Sequence, residues 1–354
     1  MSKEHKTSKL LMTAAALAGT AVALPAGISL VTYEKIFGKR FTTDPALLRT
    51  VKDFPGLRVK RCSFSSNRKQ WITGYYYFRQ ISGFKGILII SHGFGSGGHN
   101  SYIDVANYFA ANGYLVFCYD NTGTDDSEGR CVGGLPQALL DLDYAIRSVK
   151  ASSDINGLPI VLFGHSWGGY AVANVLNYHP DVKAVVAAAG FNATRDIMDY
   201  EGHRLVGDKA QFIVPYLKLQ EKLKFGQASD CTALQGFLNS QAKIMILQSD
   251  NDTIVPPCCG FDYYYACYKD DPRFTFKHYS DMGHGEYFRS PDAVAYRKEF
   301  RKQLAAFKES LGKDFTKDQK QQYIRKYLDK KRFYHLNGRL FQEILDFYDE
   351  AVAK

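Results

Sequence analysis

Short, continuous apolar runs alternate along the middle of the chain with segments whose apolar residues recur every three or four positions. Residues 86–91 (GILIIS), 114–120 (YLVFCYD) and 159–164 (PIVLFG) are typical of strands covered on both faces. The segments between them, residues 101–112 and 137–150, have helical spacing. Strands that alternate with helices in this way predict right-handed β–α–β units and a mostly parallel sheet.

Further elements are predicted before and after this alternation. Two segments rich in β-favouring residues precede it and predict an antiparallel pair, residues 57–64 and 71–80. One helix and three strands are expected after it, at residues 167–178, 182–190, 243–248 and 273–279. The chain is therefore predicted to fold as an α/β protein, with its main domain over residues 57–312.

Two stretches depart from the alternation. Residues 193–241 are too long for a simple connection and contain an apolar, helix-like segment at 209–224, which predicts a helical lid inserted between strands. In residues 313–354, apolar and aromatic residues recur at helical spacing, which predicts an amphipathic helical C-terminal extension. The residues that carry this second pattern are Tyr323, Tyr327, Leu340, Ile344 and Phe347.

The N-terminus, residues 1–33, carries a pattern of a different kind. Lysines precede an uncharged run, of which residues 11–30 are long enough to span a hydrocarbon core of about 30 Å as a helix. The same run fits a signal peptide, with an A-x-A cleavage site at residues 21–23. Residues 1–33 are therefore predicted to be a signal anchor or a signal peptide, followed by a linker at 34–56. The main domain is expected outside the cytoplasm, either held at the membrane through the N-terminus or secreted.

Composition and charge narrow the class of partner. Hydrophobic residues make up 45% of the 354 positions, which is ample for a packed core. The net charge is +9, and more than half of this excess lies in residues 301–354, where basic residues are interleaved with acids. Interleaved charges are typical of a solvated helical surface, so no nucleic-acid partner is predicted, while contact with anionic lipid stays open. The seven cysteines fit no zinc-ligand spacing, so no metal is predicted.

A candidate nucleophile follows the third buried run directly. Residues 164–168 read Gly-His-Ser-Trp-Gly, a G-x-S-x-G motif between a predicted strand and a predicted helix. In that context the strained turn needs small neighbours to expose the serine oxygen, and Gly164 and Gly168 provide them. Ser166 is therefore the predicted nucleophile, at a helix N-terminus whose dipole favours negative charge.

A serine nucleophile needs a base, and the base needs a carboxylate that orients it. His284 directly follows the last predicted strand, and Asp252 follows the strand before it. The chain order is then Ser, Asp, His, so His284 is the predicted base and Asp252 its predicted partner. Asp250 lies near the same strand end, and the choice between the two aspartates stays open.

Acyl transfer also needs hydrogen-bond donors for the developing oxyanion. His92-Gly93-Phe94-Gly95 follows the first buried run, and its glycines let backbone amides face a ligand. The amides of Phe94 and Trp167 are predicted to form the oxyanion hole. His92 is expected to support this loop rather than to transfer protons.

Over about residues 57–312 these motifs resemble the α/β-hydrolase family. The matching features are the His92-Gly93 turn, residues 164–168, residues 252–256 (DTIVP) and Gly283-His284. The chain is similar to the branch that holds monoacylglycerol-lipase-like esterases and serine aminopeptidases of the prolyl type. The resemblance implies an α/β-hydrolase fold with an eight-stranded sheet, helices on both faces, a lid and no cofactor. It is incomplete at residues 120–129, which keep only Gly123 and Ser127 of the Gly-x-Gly-x-Ser pattern that many relatives carry there.

The predicted activity is hydrolysis through an acyl-enzyme formed on Ser166. Because the predicted lid is aromatic and apolar, a small-molecule carboxylic ester with an apolar acyl group is the expected substrate. A peptidase or amidase acting on a peptide-like substrate is the alternative, because peptidases of this branch hold the substrate amine with lid acids, and this lid offers Asp196, Asp199, Glu201 and Asp208. An inactive binding protein with the same fold is a third alternative, which the complete set of Ser166, Asp252 and His284 disfavours.

Overall fold

The structure is a computed structural model that describes residues 24–95 and 97–353. Its centre is a single sheet of eight strands: β1 (Arg58–Ser65), β2 (Trp71–Phe78), β3 (Ile87–Ser91), β4 (Leu115–Tyr119), β5 (Ile160–His165), β6 (Ala184–Ala188), β7 (Lys243–Ser249) and β8 (Phe274–Tyr279). Their order across the sheet is β1-β2-β4-β3-β5-β6-β7-β8. The pairings of β1 with β2 and of β2 with β4 are antiparallel, and all the others are parallel.

The centre of the sheet is formed by the segments that lack polar alternation. β3, β4 and β6 are buried at every position, because helices cover both faces of the sheet there. β1 begins at one edge with exposed, charged residues, as expected for a strand that contacts the core on one side only. The predicted fold class, a mostly parallel eight-stranded sheet between helices, is confirmed.

The helices form a layer on each face of the sheet. They are α1 (residues 24–37), α2 (Ile103–Ala111), α3 (Gln137–Ala151), α4 (Trp167–Asn174), α5 (Thr194–Val206), α6 (Ala210–Phe225), α7 (Ala233–Asn239), α8 (Phe261–Tyr268), α9 (Pro291–Leu311), α10 (Lys317–Tyr327), α11 (Lys330–Phe333) and α12 (Gly338–Val352). Buried residues of α3, α4 and α8 pack on one face of the sheet, and those of α2 and α12 pack on the other.

The segment predicted as a lid forms α5, α6 and α7 between β6 and β7. α7 returns to the body, where Phe237 is fully buried in the main core. α5 and α6 instead pack on each other and on α1, through Met198, Val214 and Tyr33. The cover over the site therefore consists of α5 and α6 together with α1, a helix that precedes the sheet in the chain.

The C-terminal region is helical, as predicted, and its helices have two different roles. α9 and α10 form a separate small core in which Phe300 and Ile324 pack on Ala46. α12 returns to the sheet and buries an apolar face that includes Phe341 and Tyr348. The Tyr348 hydroxyl donates to the carbonyl oxygen of Leu162 in β5 at 2.7 Å. α12 is therefore part of the main core, although α9 to α11 separate it from β8 in the chain.

α1 fastens the N-terminal region to the lid. The helix continues through residues 34–37, which the sequence analysis placed in a linker. Tyr33 and Phe37 lie one helical turn apart on it, and both are buried. The Ser29 hydroxyl donates to the Ile213 carbonyl oxygen of α6 at 2.8 Å. Residues 1–23, which hold most of the predicted anchor or signal peptide, lie outside the described residues. In the part of the chain that the structure describes, no helix has the length and apolar character needed to cross a bilayer.

Candidate active site

Ser166 occupies a sharp turn between β5 and α4. Its backbone angles are φ 60° and ψ −118°, a strained conformation for a residue with a side chain. The flanking glycines are required by close packing, since a Cβ at Gly164 would lie 2.1 Å from the Gly168 carbonyl oxygen. A Cβ at Gly168 would lie 2.0 Å from the carbonyl oxygen of Ser91 at the end of β3. The G-x-S-x-G spacing therefore produces the strand–turn–helix geometry that presents a serine at the end of a sheet.

His284 and Asp252 meet on the loops that follow β8 and β7. His284 Nδ1 lies 2.7 Å from Asp252 Oδ2. The other carboxylate oxygen, Oδ1, accepts hydrogen bonds from the amides of Ile254 at 2.9 Å and Val255 at 3.0 Å. Burial alone would raise the pKa of the Asp252 carboxyl, but the bonds from His284 and the two amides outweigh it and lower this pKa. Asp252 is therefore held as a buried, hydrogen-bonded carboxylate that orients the His284 ring.

The structure separates the two aspartates between which the sequence left a choice. Asp250 Oδ1 lies 2.6 Å from His278 Nε2, and both side chains are about half exposed. Asp252 contacts His284 and is 2% exposed. The geometry thus supports Asp252 as the orienting carboxylate.

Ser166 and His284 are close but not hydrogen-bonded. The His284 ring centroid is 4.7 Å from that of His165, the residue directly before Ser166. Ser166 Oγ has no hydrogen-bond partner among residues 24–95 and 97–353. Such bonds commonly tighten only when a substrate is bound. The arrangement therefore brings the three predicted triad residues to one place, with the Ser–His bond still to form.

The loop after β3 lies against the nucleophile turn. A Cβ at Gly93 would lie 3.6 Å from the Ser166 Cβ. Phe94 lies on this loop and Trp167 is the first residue of α4, so the two residues predicted to provide the oxyanion donors lie on either side of Ser166. His92 supports this loop, because its Nδ1 donates to the Gly93 carbonyl oxygen at 2.8 Å and its Nε2 accepts from the Asn121 amide at 2.9 Å. Burial lowers the pKa of His92, so the ring is neutral and keeps this tautomer.

The site has a floor and a roof. The floor consists of the loops after β3, β5, β7 and β8, which carry Phe94, Ser166, Asp252 and His284. The roof consists of α1, α5 and α6. The Phe94 ring joins the two, because it packs edge-on against Trp167 at 5.4 Å between centroids and against Phe37 of α1 at 5.8 Å. The oxyanion loop is therefore held partly by the N-terminal helix.

A buried carboxylate in the roof escaped the sequence analysis. Glu221 of α6 is 2% exposed, and its Oε1 accepts from the Leu135 amide at 3.2 Å. Leu135 in turn accepts from Trp167 Nε1 at 2.7 Å through its carbonyl oxygen. Burial raises the pKa of Glu221 to about 7, although hydrogen bonds from Thr194 and Leu135 oppose the rise. The sequence signal for its burial was that Glu221 lies at helical spacing from Val214 and Phe225, on the buried face of α6.

The lid acids considered for amine binding mostly have partners of their own. Asp196 accepts from Asn192, Asp199 pairs with Lys218 at 2.5 Å, and Glu201 pairs with Arg204 at 2.6 Å. Asp208 lies exposed in the short turn between α5 and α6. In residues 24–95 and 97–353, no three His, Cys, Asp or Glu side chains are grouped so that they could hold a metal ion.

Comparisons with known proteins agree with this architecture. The family model described as serine aminopeptidase, S33, matches residues 83–240. The monoglyceride lipase of Saccharomyces cerevisiae is 25% identical over 170 residues, which are 47% of this chain and 52% of the lipase. The caffeoylshikimate esterase of Arabidopsis thaliana is 34% identical over 87 residues, which are 24% of this chain and 26% of the esterase. The chain thus spans about half the length of one curated relative and about a quarter of the other.

Solved structures share the fold at low sequence identity. An esterase from Pyrococcus furiosus matches with a TM-score of 0.53 at 16% identity, over 77% of this chain and 99% of the esterase. An acetyl xylan esterase from a Paenibacillus species matches with a TM-score of 0.52 at 16% identity, over 72% of this chain and 86% of the esterase. Together with the strand order and the nucleophile turn, these likenesses show that the chain has the α/β-hydrolase fold.

Proposed function

We propose that the protein is a serine hydrolase that cleaves a carboxylic ester through an acyl-enzyme intermediate. The observation that carries the proposal is the pair of His284 and buried Asp252, placed at 2.7 Å beside the strained Ser166 turn. A histidine in this setting accepts a proton from the serine while the carboxylate stabilises the imidazolium that forms. The same three residues in one place have no evident purpose in a protein that only binds.

The reaction proceeds in two steps. His284 Nε2 removes the Ser166 hydroxyl proton as Oγ attacks the ester carbonyl carbon. The Phe94 and Trp167 amides donate to the resulting oxyanion, and His284 returns the proton to the leaving alcohol. Water then attacks the acyl-Ser166 ester with His284 as base, which releases the carboxylic acid and regenerates the serine. The dipole of α4, whose first residue is Trp167, adds positive potential at the oxyanion.

An apolar acyl group fits the residues around Phe94. Phe37, Met198 and Val214 are buried in the roof, and Phe94 and Leu217 pack on the same cluster. Such a surface gains from contact with hydrocarbon and offers few hydrogen bonds to a polar acyl chain. The names of the matched lipase and esterases are consistent with an ester substrate.

The test is the Ser166→Ala variant with a fluorophosphonate probe and p-nitrophenyl esters of increasing acyl length. Wild-type protein is expected to be labelled and to hydrolyse the esters, and the variant to lose both. Ser153→Ala, at an exposed serine remote from the site, is the matched control. Equal labelling of wild-type and Ser166→Ala protein would overturn the nucleophile assignment. Binding of substrate esters without turnover by the wild type would favour a binding protein.

A peptidase is the second candidate, because the matching family model is described as a serine aminopeptidase. Aminoacyl anilides measured beside the p-nitrophenyl esters separate the two activities. We expect the ester kcat/KM to exceed the anilide value, since Asp199 and Glu201 of the lid pair with Lys218 and Arg204. A higher value for anilides would assign the protein to the peptidases.

We also propose that the N-terminus either anchors the domain to a membrane, outside the cytoplasm, or directs its secretion. Supporting observations are the uncharged run before residue 34 and exposed aliphatic side chains on α1, among them Leu24, Ile28 and Val31. N-terminal sequencing of the protein recovered from membrane and culture fractions tests this. Met1 in the membrane fraction indicates an anchor, and a start near residue 24 in the medium indicates a cleaved signal. Full-length protein recovered only from the cytosol would contradict both.

A further inference from the structure

A hydrogen-bond chain under the site joins three of its loops. Its middle member is His165, which precedes the nucleophile in β5. His165 Nδ1 lies 3.1 Å from the Tyr102 hydroxyl, and His165 Nε2 lies 3.1 Å from the His284 carbonyl oxygen. The Tyr102 hydroxyl also lies against the loop after β3, since a Cβ at Gly93 would be 3.4 Å from its oxygen. The chain therefore connects the oxyanion loop, the nucleophile turn and the histidine loop.

The direction of every bond in this chain is determined. The His284 carbonyl oxygen only accepts, so His165 Nε2 must carry a proton. Burial, together with the nearby His284, lowers the pKa of His165 to about 3, so the ring is neutral at ordinary pH. The neutral ring has a lone pair at Nδ1, and the Tyr102 hydroxyl therefore donates to it. Both His165 bonds therefore have an assigned donor, namely His165 Nε2 toward His284 and the Tyr102 hydroxyl toward His165 Nδ1.

The His165 ring also packs directly against the candidate base. Its centroid is 4.7 Å from that of His284 and 5.3 Å from that of Phe288, which it meets edge-on. In the proposed reaction His284 becomes positively charged when it takes the Ser166 proton. A charged neighbour at this distance would oppose that step, whereas a neutral ring does not.

We propose that Tyr102 and His165 are positioning residues that hold the His284 loop and the Gly93 loop in register with Ser166. The inference rests on the proposed serine-hydrolase function. Asp252 fixes the ring of His284, and the amides of Met282 and Gly283 bond to side chains at the end of β7. His165 adds a bond to the backbone of His284 itself, and through Tyr102 the same chain contacts the loop that carries the Phe94 amide. Errors of about 1 Å in such positions are enough to slow catalysis strongly.

The experiment compares Tyr102→Phe, His165→Leu, His165→Gln and the double variant Tyr102→Phe/His165→Leu on a p-nitrophenyl ester. Tyr102→Phe removes one oxygen, and we expect kcat to fall about tenfold with KM changed less than about twofold. His165→Leu should fall at least as far. Glutamine keeps an N–H near the position of Nε2, so His165→Gln should recover part of the loss. Tyr108→Phe is the matched control, because Tyr108 lies on α2, which begins directly after Tyr102, and its hydroxyl donates to Gln342 at 3.3 Å.

The double variant tests whether Tyr102 and His165 act through one hydrogen-bond chain or have two unrelated structural roles. If the residues act in one chain, Tyr102→Phe adds little to His165→Leu, whereas independent roles would multiply their effects. Multiplied effects, or wild-type kcat in both single variants, would overturn the inference. A fall in melting temperature equal to that of Tyr108→Phe, together with the lower kcat, supports positioning over general destabilisation. Ser166→Ala keeps the two proposals apart. Activity in that variant defeats the proposed function, whereas loss of activity in Ser166→Ala together with wild-type kcat in Tyr102→Phe and His165→Leu defeats only this inference.

Discussion

Asp252 in the floor of the site and Glu221 in its roof are buried to the same extent, each with 2% of its surface exposed. Their pKa values nevertheless move in opposite directions. His284 and two backbone amides surround Asp252 and lower its pKa, in spite of burial. Glu221 receives hydrogen bonds from Leu135 and Thr194, no cation among the described residues acts on it, and burial raises its pKa to about 7. Burial alone therefore does not decide the charge of a carboxylate, and the number and kind of its donors do.

The same contrast holds for the two regions as wholes. The floor is built from strand-end loops whose positions are fixed by backbone amides, close glycine contacts and buried polar bonds. The roof is built from helices that meet through apolar side chains and a few polar bonds such as that of Ser29 to Ile213. We therefore expect changes in the floor to act mainly on the rate of the reaction. Changes in the roof should act mainly on stability and its dependence on pH.

The largest effect is expected from the two aspartates after β7. Asp252→Asn removes the carboxylate that orients His284 and stabilises its positive charge, so kcat should fall roughly 10⁴-fold. Asp250→Asn breaks only an exposed contact with His278 and should leave kcat within about twofold of wild type. Steady-state kinetics on one ester check both. A large loss in Asp250→Asn with little in Asp252→Asn would reverse the assignment of the orienting carboxylate.

The second effect concerns the pH dependence of stability through Glu221. In the folded protein the pKa of Glu221 is about 7, above the ordinary value of 4.5. The folded state is therefore favoured most below pH 4.5 and becomes less stable as pH rises from 4.5 through 7. The full loss is about 3 kcal/mol, from about 1.4 kcal/mol for each pH unit. Glu221→Gln removes this dependence while keeping an acceptor for Leu135. The variant should thus be more stable than wild type at pH 8 and nearly equal to it at pH 5.

Urea denaturation at both pH values measures this difference. Glu201→Gln, an exposed glutamate of α5 that pairs with Arg204, serves as the matched lid control and should show no such change between pH 5 and pH 8. Asp252→Asn should be less stable than wild type by about the same amount at pH 5 and pH 8, because the lowered pKa of Asp252 contributes stability that is fully present above its ordinary value of 3.8 and is lost only as pH falls below it. If Glu221→Gln were less stable than wild type at pH 8, the roof carboxylate would be charged and compensated there.

The smallest effect is expected from the ion pair between α1 and α6. Lys224 Nζ lies 2.7 Å from Glu34 Oε1, and both side chains are partly exposed. Glu34→Gln should therefore lower the free energy of unfolding by less than about 0.5 kcal/mol, and less still at high salt. Lys224 also lies over the Tyr33 ring at 4.4 Å, a contact that this variant keeps. A loss above 1 kcal/mol in urea denaturation would mean that charge, and not apolar contact, holds α1 to the lid.

The floor was largely predictable from the sequence, because its parts are local. A G-x-S-x-G motif specifies a turn through glycines that must be small, and a histidine after the last strand is placed by the chain order. The choice between Asp250 and Asp252 was not local, since it depends on which carboxylate the chain turns toward the loop after β8, where His284 lies. Tyr102 and His165 escaped notice for the same reason: their partners lie on loops far away in the chain.

The roof was less predictable, because its contacts join segments that carry no mutual signal. Tyr33 and Phe37 look like the end of an anchor and the start of a linker, and only their burial against Val214 shows that α1 belongs to the cover. α8 was missed because its sequence, FDYYYACY, is rich in β-favouring aromatic residues that tertiary packing turned into a helix. α9 was missed because only Ala293 and Phe300 are buried along it, which leaves little apolar periodicity to detect.

The contacts of α1 bear on how the enzyme is produced for study. A truncation that begins at the predicted domain boundary, residue 57, removes an apolar N-terminus that hinders purification, but it also removes Tyr33 and Phe37. Met198, Val214 and the Phe94 ring would then face water, and the lid would lose its fastening to the body. The rate measured on a protein trimmed in this way would reflect the loss of this cover as well as the choice of substrate.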